Sequence, residues 1–221
     1  MKKVIILVVL LQTSILYVKS QIVNIETIPY SMTFENTPKS YKIIGKDAID
    51  IESGSNADLF ISPSGDYSIN KSPRLLFKPA SDFILSAKIS LNFNTKWDAG
   101  DLIIYNDEKH FAKFCFEKDY KEQQRVVSVV CNDVADDCNS MPIQGNDIYY
   151  RIIGSSKGNV FYLYTSNDGK EWMVVRSFRL QKNDNIRIGF SAQSPVGNGC
   201  MVHFSNISLE QRKPADFWTG Y

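Results

Sequence analysis

The chain has little of what many specialised functions need. Its basic and acidic residues nearly balance, 25 Lys and Arg against 24 Asp and Glu. It therefore lacks the basic stripe that grips nucleic acid, and no nucleic-acid partner is expected. Two histidines and four cysteines are too few for several metal sites. His110 and His203 lie far apart in sequence, neither beside a metal-type partner, so neither is assigned as a ligand. No window carries a long 3.6-residue period, which argues against helices and βαβ units. There is no internal repeat, low-complexity tract or interdomain linker. With 43% hydrophobic and 22% charged residues, the composition is not that of a disordered chain. The apolar run Val4 to Leu11 is too short to span a bilayer.

That run instead has the context of an export signal. Lys2 and Lys3 form a charged start, and Ser20 puts a small residue before Gln21. The expected organisation is a signal peptide over residues 1–20 and one domain over 21–221. The mature protein is expected to be secreted or periplasmic, with no membrane span. No Cys follows the cut, so no lipid anchor is expected. Removing Lys2, Lys3 and Lys19 leaves 22 basic against 24 acidic residues.

What is present is alternation. In Phe83 to Phe93, the residues Phe83, Leu85, Ala87, Ile89, Leu91 and Phe93 share one face, while Ser86, Lys88, Ser90 and Asn92 share the other with Ile84. That is a strand with one buried side. Similar runs cover Ala48–Glu52, Arg74–Lys78, Leu102–Tyr105, Phe111–Glu117, Arg125–Cys131, Ile148–Ile153, Val160–Ser166, Trp172–Phe178, Ile186–Ala192 and Cys200–Leu209. Turn clusters such as Pro63-Ser64-Gly65-Asp66 and Asn167-Asp168-Gly169 separate them. The fold class is all-β, a sandwich of two antiparallel sheets. Residues 21–40 and 210–221 are the least periodic and are expected to wrap the edges.

Several motifs resolve to structural readings. Gly154-Ser155-Ser156-Lys157-Gly158 has the letters of a nucleophile elbow, but that device needs a strand-to-helix turn, and strands flank this one. Ala48-Ile49-Asp50-Ile51-Glu52 is similar to the E-x-D-x-E carboxylates of β-sandwich glucanases. Ala48 replaces the first acid, so a polar outer strand face is the better reading. Asp168-Gly169 is a hairpin turn. Asn70-Lys71-Ser72 and Asn206-Ile207-Ser208 are glycosylation sequons, meaningful only in a eukaryote. Asp133, Asp136 and Asp137, with Asn132 and Asn139, read as a polar loop after Cys131. Their spacing does not match a calcium loop, and no metal is assigned. In Phe111 to Glu117, Ala112, Phe114 and Phe116 form the apolar face, and Phe111, Lys113, Cys115 and Glu117 the opposite one.

Taken together, these stretches resemble the domain of unknown function 1349 family, also titled "regulation of enolase protein 1". The residues that carry the resemblance are Asp98-Ala99-Gly100 with Leu102-Ile103-Ile104-Tyr105, Lys113-Phe114-Cys115-Phe116-Glu117, Val127-Ser128-Val129-Val130, Asp136-Asp137 with Asn139-Ser140, Asp168-Gly169, Trp172, Val175-Arg176, Gly189-Phe190, Ala192-Gln193-Ser194-Pro195 and Gly199-Cys200. It spans about residues 30 to 210. The resemblance implies a concanavalin A-like jelly roll whose concave sheet holds saccharide in related lectins and glucanases. It implies no established reaction and no cofactor. It marks Lys113, Glu117, Asp136, Asp137, Asn139 and Gln193 as the polar positions typical of the family. Cys131 and Cys138 depart from the family pattern and accompany the export signal, so a Cys131–Cys138 disulfide is expected. Cys115 and Cys200 belong to the pattern and are expected to be buried.

The leading expectation is a non-catalytic sandwich that binds an oligo- or polysaccharide. Lys113 and Glu117 would form the floor, with Asp136, Asp137 and Asn139 on the rim. Phe111 or Trp97 would stack on a sugar ring. Two alternatives stand beside it. One is a glycan hydrolase or lyase using Glu117 and a loop Asp. The other is a protein-interaction module of the cell envelope.

Overall fold

The computed structural model describes residues 22–155, 158–181 and 185–221. The expected signal peptide and Ser156 lie outside the described residues. Strands dominate, and no helix occurs among the described residues. The larger sheet has eight strands in the order β1 (Ile22–Val23), β2 (Met32–Glu35), β7 (Arg74–Phe77), β16 (Arg187–Gln193), β9 (Ala99–Asp107), β10 (His110–Lys118), β11 (Gln124–Asn132) and β12 (Val134–Pro142). The second has seven: β15 (Met173–Arg179), β14 (Val160–Ser166), β13 (Asp147–Ser155), β8 (Asp82–Leu91), β17 (Met201–Glu210), β4 (Ala48–Glu52) and β3 (Ser40–Ile44). A separate hairpin joins β5 (Leu59–Ile61) to β6 (Ser68–Asn70). Neighbouring strands in the two sheets pair antiparallel. The result is the two-sheet antiparallel sandwich expected from alternation, in the jelly-roll form that the family resemblance implies.

Alternation also builds the core. Phe83, Leu85, Ala87, Ile89 and Leu91 of β8 meet Ala112, Phe114 and Phe116 of β10 across the sheets. Phe114 stacks on Tyr150 with ring centroids 3.8 Å apart, and the Tyr150 hydroxyl donates to the Cys115 carbonyl at 2.8 Å. Gly189 of β16 lies against β7, where a Cβ would stand 1.9 Å from the Leu75 carbonyl oxygen.

Both outer faces carry a cover. On the seven-stranded sheet, the C-terminal residues fold back over β13 and β14. Arg151 Nη1 donates to the Gly220 carbonyl at 2.5 Å, and its guanidinium lies 3.9 Å from the Trp172 ring centroid. On the eight-stranded sheet, the β5–β6 hairpin sits over one end. Leu59 and Ile61 close on Leu76, Ile103, Tyr105, Phe111 and Cys131.

Two expectations are corrected here. The segment after Cys131 is not a loop but the strand β12. A tight turn at Asp133, with φ of +70°, pairs Asn132 with Val134. β12 is the exposed edge of its sheet, and charged, polar residues blunt such an edge against further pairing. Its polar composition therefore resembled that of a loop. The Cys131–Cys138 disulfide is also excluded, and both thiols are free. Cys131 lies opposite Ala135, and Cys138 lies opposite Ser128. The two are thus three ladder positions apart, roughly 10 Å along the strands. They also sit on opposite faces of the sheet, beyond the reach of a disulfide. Cys115 and Cys200 are buried.

Candidate functional site

Five adjacent strands set the site by register. Lys113 of β10 pairs with Ile103 of β9 and Val129 of β11, and Val129 pairs with Asp137 of β12. Two residues further on, Cys115 pairs with Asp101, which faces Ser191 of β16. Two further again, Glu117 pairs with Ala99, which faces Gln193. Because the period is two, all of these point to the face turned away from the core. The β5–β6 hairpin covers one end of that face and leaves the other end open as a pocket of about 310 Å³. Asp58, Phe60, Tyr67, Trp97, Lys113, Glu117, Asp137, Gln193, Pro195 and Val196 are among its walls.

The pocket is built from buried polar side chains. Lys113, only 3% exposed, donates from Nζ to Asp58 Oδ1 and to Gln193 Oε1, each at 2.9 Å. Gln193 Nε2 donates to the Trp97 carbonyl at 3.2 Å and to Glu117 Oε2 at 3.3 Å. Glu117 is 7% exposed. Asp98 ties two wall loops together. Its carboxylate accepts from the Asn94 and Thr95 amides and, at 2.7 Å, from the Ser194 hydroxyl. Trp97 is held between them with φ of +70°, a left-handed conformation that costs a non-glycine residue about 1–3 kcal/mol and persists only where the surroundings enforce it. Ala57 and Ser194 exchange backbone hydrogen bonds, which fixes Asp58 beside the same loops.

The electrostatics follow from burial around one cation. Desolvation alone would lower the Lys113 pKa, but the Asp58 carboxylate hydrogen-bonded to it and the nearby Asp101 overcome it, and the ammonium is held charged. Burial drives Glu117 well above the usual carboxylate range. Lys113 opposes this shift, while Asp137 and Asp101 add to it. Asp137 is also raised by desolvation, against Lys113 and Arg176. Beneath the pocket, Asp101 is 0% exposed and is pushed up to about 7 by burial, opposed by Lys113, Cys115 and Ser191. Among the described residues only Cys115 and Ser191 approach its oxygens as donors.

The residues singled out from sequence divide. The structure brings Lys113, Glu117, Asp137, Gln193 and Trp97 to one pocket. It does not bring Asp136, Asn139 or Phe111 there. Alternation sends Asp136 to the opposite face of β12, where it pairs with Arg176 at 3.0 Å. Asn139 shares the face of Asp137 but stands one step beyond the pocket, exposed. Phe111 is fully buried beneath the β5–β6 hairpin, so it presents no ring to a ligand. Asp58, Phe60, Tyr67 and Asp101 were not singled out from sequence. For Asp101 a signal existed, since it is the polar position between inward-facing Gly100 and Leu102 on the same strand face as Ile103. For the hairpin, only the Pro63–Asp66 turn was legible.

The arrangement offers donors and acceptors on the floor and aromatic faces on the walls. A larger open cleft, about 880 Å³, lies by Met141–Gln144, Ser166–Asp168 and Trp172. Two of its lining acids are used locally. Asp168 accepts from the Lys170 and Glu171 amides, and Asp147 pairs with Lys88. Asp50 and Glu52 of β4 are likewise engaged, with His203 at 2.6 Å and Lys39 at 2.7 Å. Among the described residues no group of three His, Cys, Asp or Glu could hold a metal ion. Among the described residues no helix is long and apolar enough to cross a membrane.

Comparison with known proteins agrees with this architecture. A family model described as "Protein of unknown function (DUF1349)" matches residues 34–212. A relative from Saccharomyces cerevisiae, "Regulation of enolase protein 1", is 23% identical over 180 residues, covering 80% of this chain and 88% of its own. A solved structure of a functionally unknown protein from Saccharomyces cerevisiae superposes with a TM-score of 0.75 at 21% identity, covering 83% of this chain and 97% of that one. The GH43 BlXynB protein from Bacillus licheniformis superposes with a TM-score of 0.64 at 13% identity. That match covers 82% of this chain but 37% of the larger protein, and it concerns the fold alone.

Proposed function

The chain belongs to the DUF1349 family, and we propose that it is an exported, non-catalytic sandwich that binds an oligo- or polysaccharide in the Lys113 pocket. One observation carries this reading: Asp58, Lys113, Glu117, Asp137 and Gln193 converge between Trp97, Phe60 and Tyr67. Sugar hydroxyls need donors and acceptors held at fixed positions, and a pyranose face needs an aromatic ring. The Lys113–Gln193–Glu117 chain supplies the first, locked by its own hydrogen bonds. A volume of about 310 Å³ suits a chain end rather than a long stretch of polymer. Export rests on the leader over residues 1–20.

A second reading, glycan hydrolysis, is favoured by the raised pKa of Glu117, since a general acid must hold its proton near neutrality. Against it, glycosidase pairs have their carboxyl pKa values pushed apart, one acid and one carboxylate. Here desolvation raises both Glu117 and Asp137, so neither is held as the low-pKa carboxylate of such a pair.

A glycan array followed by calorimetry tests the proposal on the parent protein, Glu117→Gln and Asp137→Asn. Dissociation constants in about the micromolar to millimolar range are expected, roughly 4–8 kcal/mol, weakened in both variants and without reducing-end release. Release by the parent, lost in the variants, would transfer the case to the hydrolase. No binding to any glycan would leave the interaction-module alternative.

A further inference from the structure

We propose that the saccharide this pocket accepts carries a protonated amino group, as a glucosamine-type chain end does. The inference rests on the saccharide reading and adds the charge of the ligand.

The acids outnumber the bases. Asp58 lies just ahead of β5, Glu117 on β10 and Asp137 on β12, all in the pocket wall. Asp101 on β9 lies beneath them on the same face. Among the described residues Lys113 is the single cation in that wall, and it is already engaged by Asp58 and Gln193. The nearby guanidiniums are turned to other acids. Arg125 Nε is 2.6 Å from Asp119, and Arg176 Nη2 is 3.0 Å from Asp136. Cys115, also on this face, is neutral, because burial pushes its thiol well up. Asp101 is a second and independent sign. A fully buried carboxyl met only by Cys115 and Ser191 is costly when charged, and that cost is reduced by any positive charge placed above it. The walls fit the same ligand. The faces of Trp97, Phe60 and Tyr67 attract cations as well as sugar rings, and Lys113 Nζ already lies 5.9 Å from the Phe60 centroid.

A neutral ring would satisfy the walls and leave the surplus acids to be neutralised by protons. An ammonium group replaces those protons. Binding of the amino sugar is therefore coupled to proton release from Glu117, Asp137 and Asp101, and its affinity rises with pH until the amine itself titrates.

The test is calorimetry of the whole mature protein with three disaccharides: one of glucosamine, its N-acetylated counterpart, and cellobiose. The titrations are run at about pH 6, where an α-amino-type group is still protonated, and in two buffers of different ionisation enthalpy. The expected result is roughly tenfold or greater preference for the free amine. Protons should be released to buffer with that ligand alone, and the preference should shrink in Asp137→Asn and in Glu117→Gln. Equal affinity for all three sugars, or amine binding unchanged in both variants, overturns the inference while leaving saccharide binding in place. No binding of any sugar overturns both.

Discussion

Asp101→Asn isolates the cost of one buried charge. In the folded protein the Asp101 carboxyl is pushed up to about 7 by burial, against an ordinary value of 3.8. An acid whose folded pKa is raised binds its proton more tightly when folded. The folded state therefore loses stability relative to the unfolded chain as pH climbs from about 4 to about 7, and the loss levels off above that. At 1.36 kcal/mol per unit, a shift of about three units corresponds to a penalty of about 4 kcal/mol at alkaline pH. Asparagine has the same shape and no charge, and its amide can keep a contact with the Ser191 hydroxyl. Glu117 and Asp137 titrate in the same direction but are present in both proteins, so they largely cancel in the comparison. Urea unfolding followed by circular dichroism, on parent and variant at about pH 4, 6 and 8, measures the difference. The variant should gain on the parent by about 2–4 kcal/mol between the lowest and highest pH, a divergence in Tm of roughly 4–16 °C. A stability difference independent of pH would refute the buried-charge argument.

Other perturbations have equally defined outcomes. Lys113→Met leaves the Gln193 carbonyl without its ammonium donor and Asp58 with the Leu59 amide in place of a paired cation, and should destabilise the fold by roughly 3–5 kcal/mol at neutral pH. The loss should be smaller near pH 4, where Glu117, Asp137 and Asp101, all raised by burial, take up protons, as urea midpoints at the two pH values would show. Gly189→Ala forces a Cβ against the Leu75 carbonyl between two paired strands, so the variant should fail to accumulate in soluble form or lose more than about 4 kcal/mol. Arg151→Ala removes the bond to Gly220 and the stack on Trp172. It should cost roughly 2–3 kcal/mol and expose the C-terminal residues to limited proteolysis. A thiol reagent should modify exposed Cys138 quickly in the native protein. It should reach Cys131, buried and pushed up to about 11, only on unfolding, and two fast thiols would contradict this.

Much of the sandwich was legible because its signal is local. The alternation in Phe83 to Phe93 marks β8 on its own, since one buried face writes itself into every second residue. The ten other runs named from sequence all fall on observed strands. The short strands β1, β2, β3, β5 and β6 were not legible. With two to five residues each, they hold too few alternations to stand out. The candidate pocket was legible where its residues sit on long strands. Lys113 and Glu117 share a face by parity, and Gln193 joins them through β16 and β9. What failed was whatever depends on a distant cover or on the identity of a strand. Phe111 has the parity of Lys113, yet the hairpin forty residues upstream buries it. Asp136 and Asp137 are neighbours in sequence and opposites in space because a polar edge strand was mistaken for a loop. The same mistake produced the Cys131–Cys138 pair.

The most direct test of saccharide binding at the Lys113 pocket is a backbone amide NMR titration with the best glycan from an array. The expected result is a cluster of shifted resonances confined to Asp58–Tyr67, Lys113–Glu117 and Gln193–Val196, saturating with one dissociation constant. No shift at millimolar glycan would contradict the account. So would shifts centred instead on the cleft between Met141–Gln144 and Trp172.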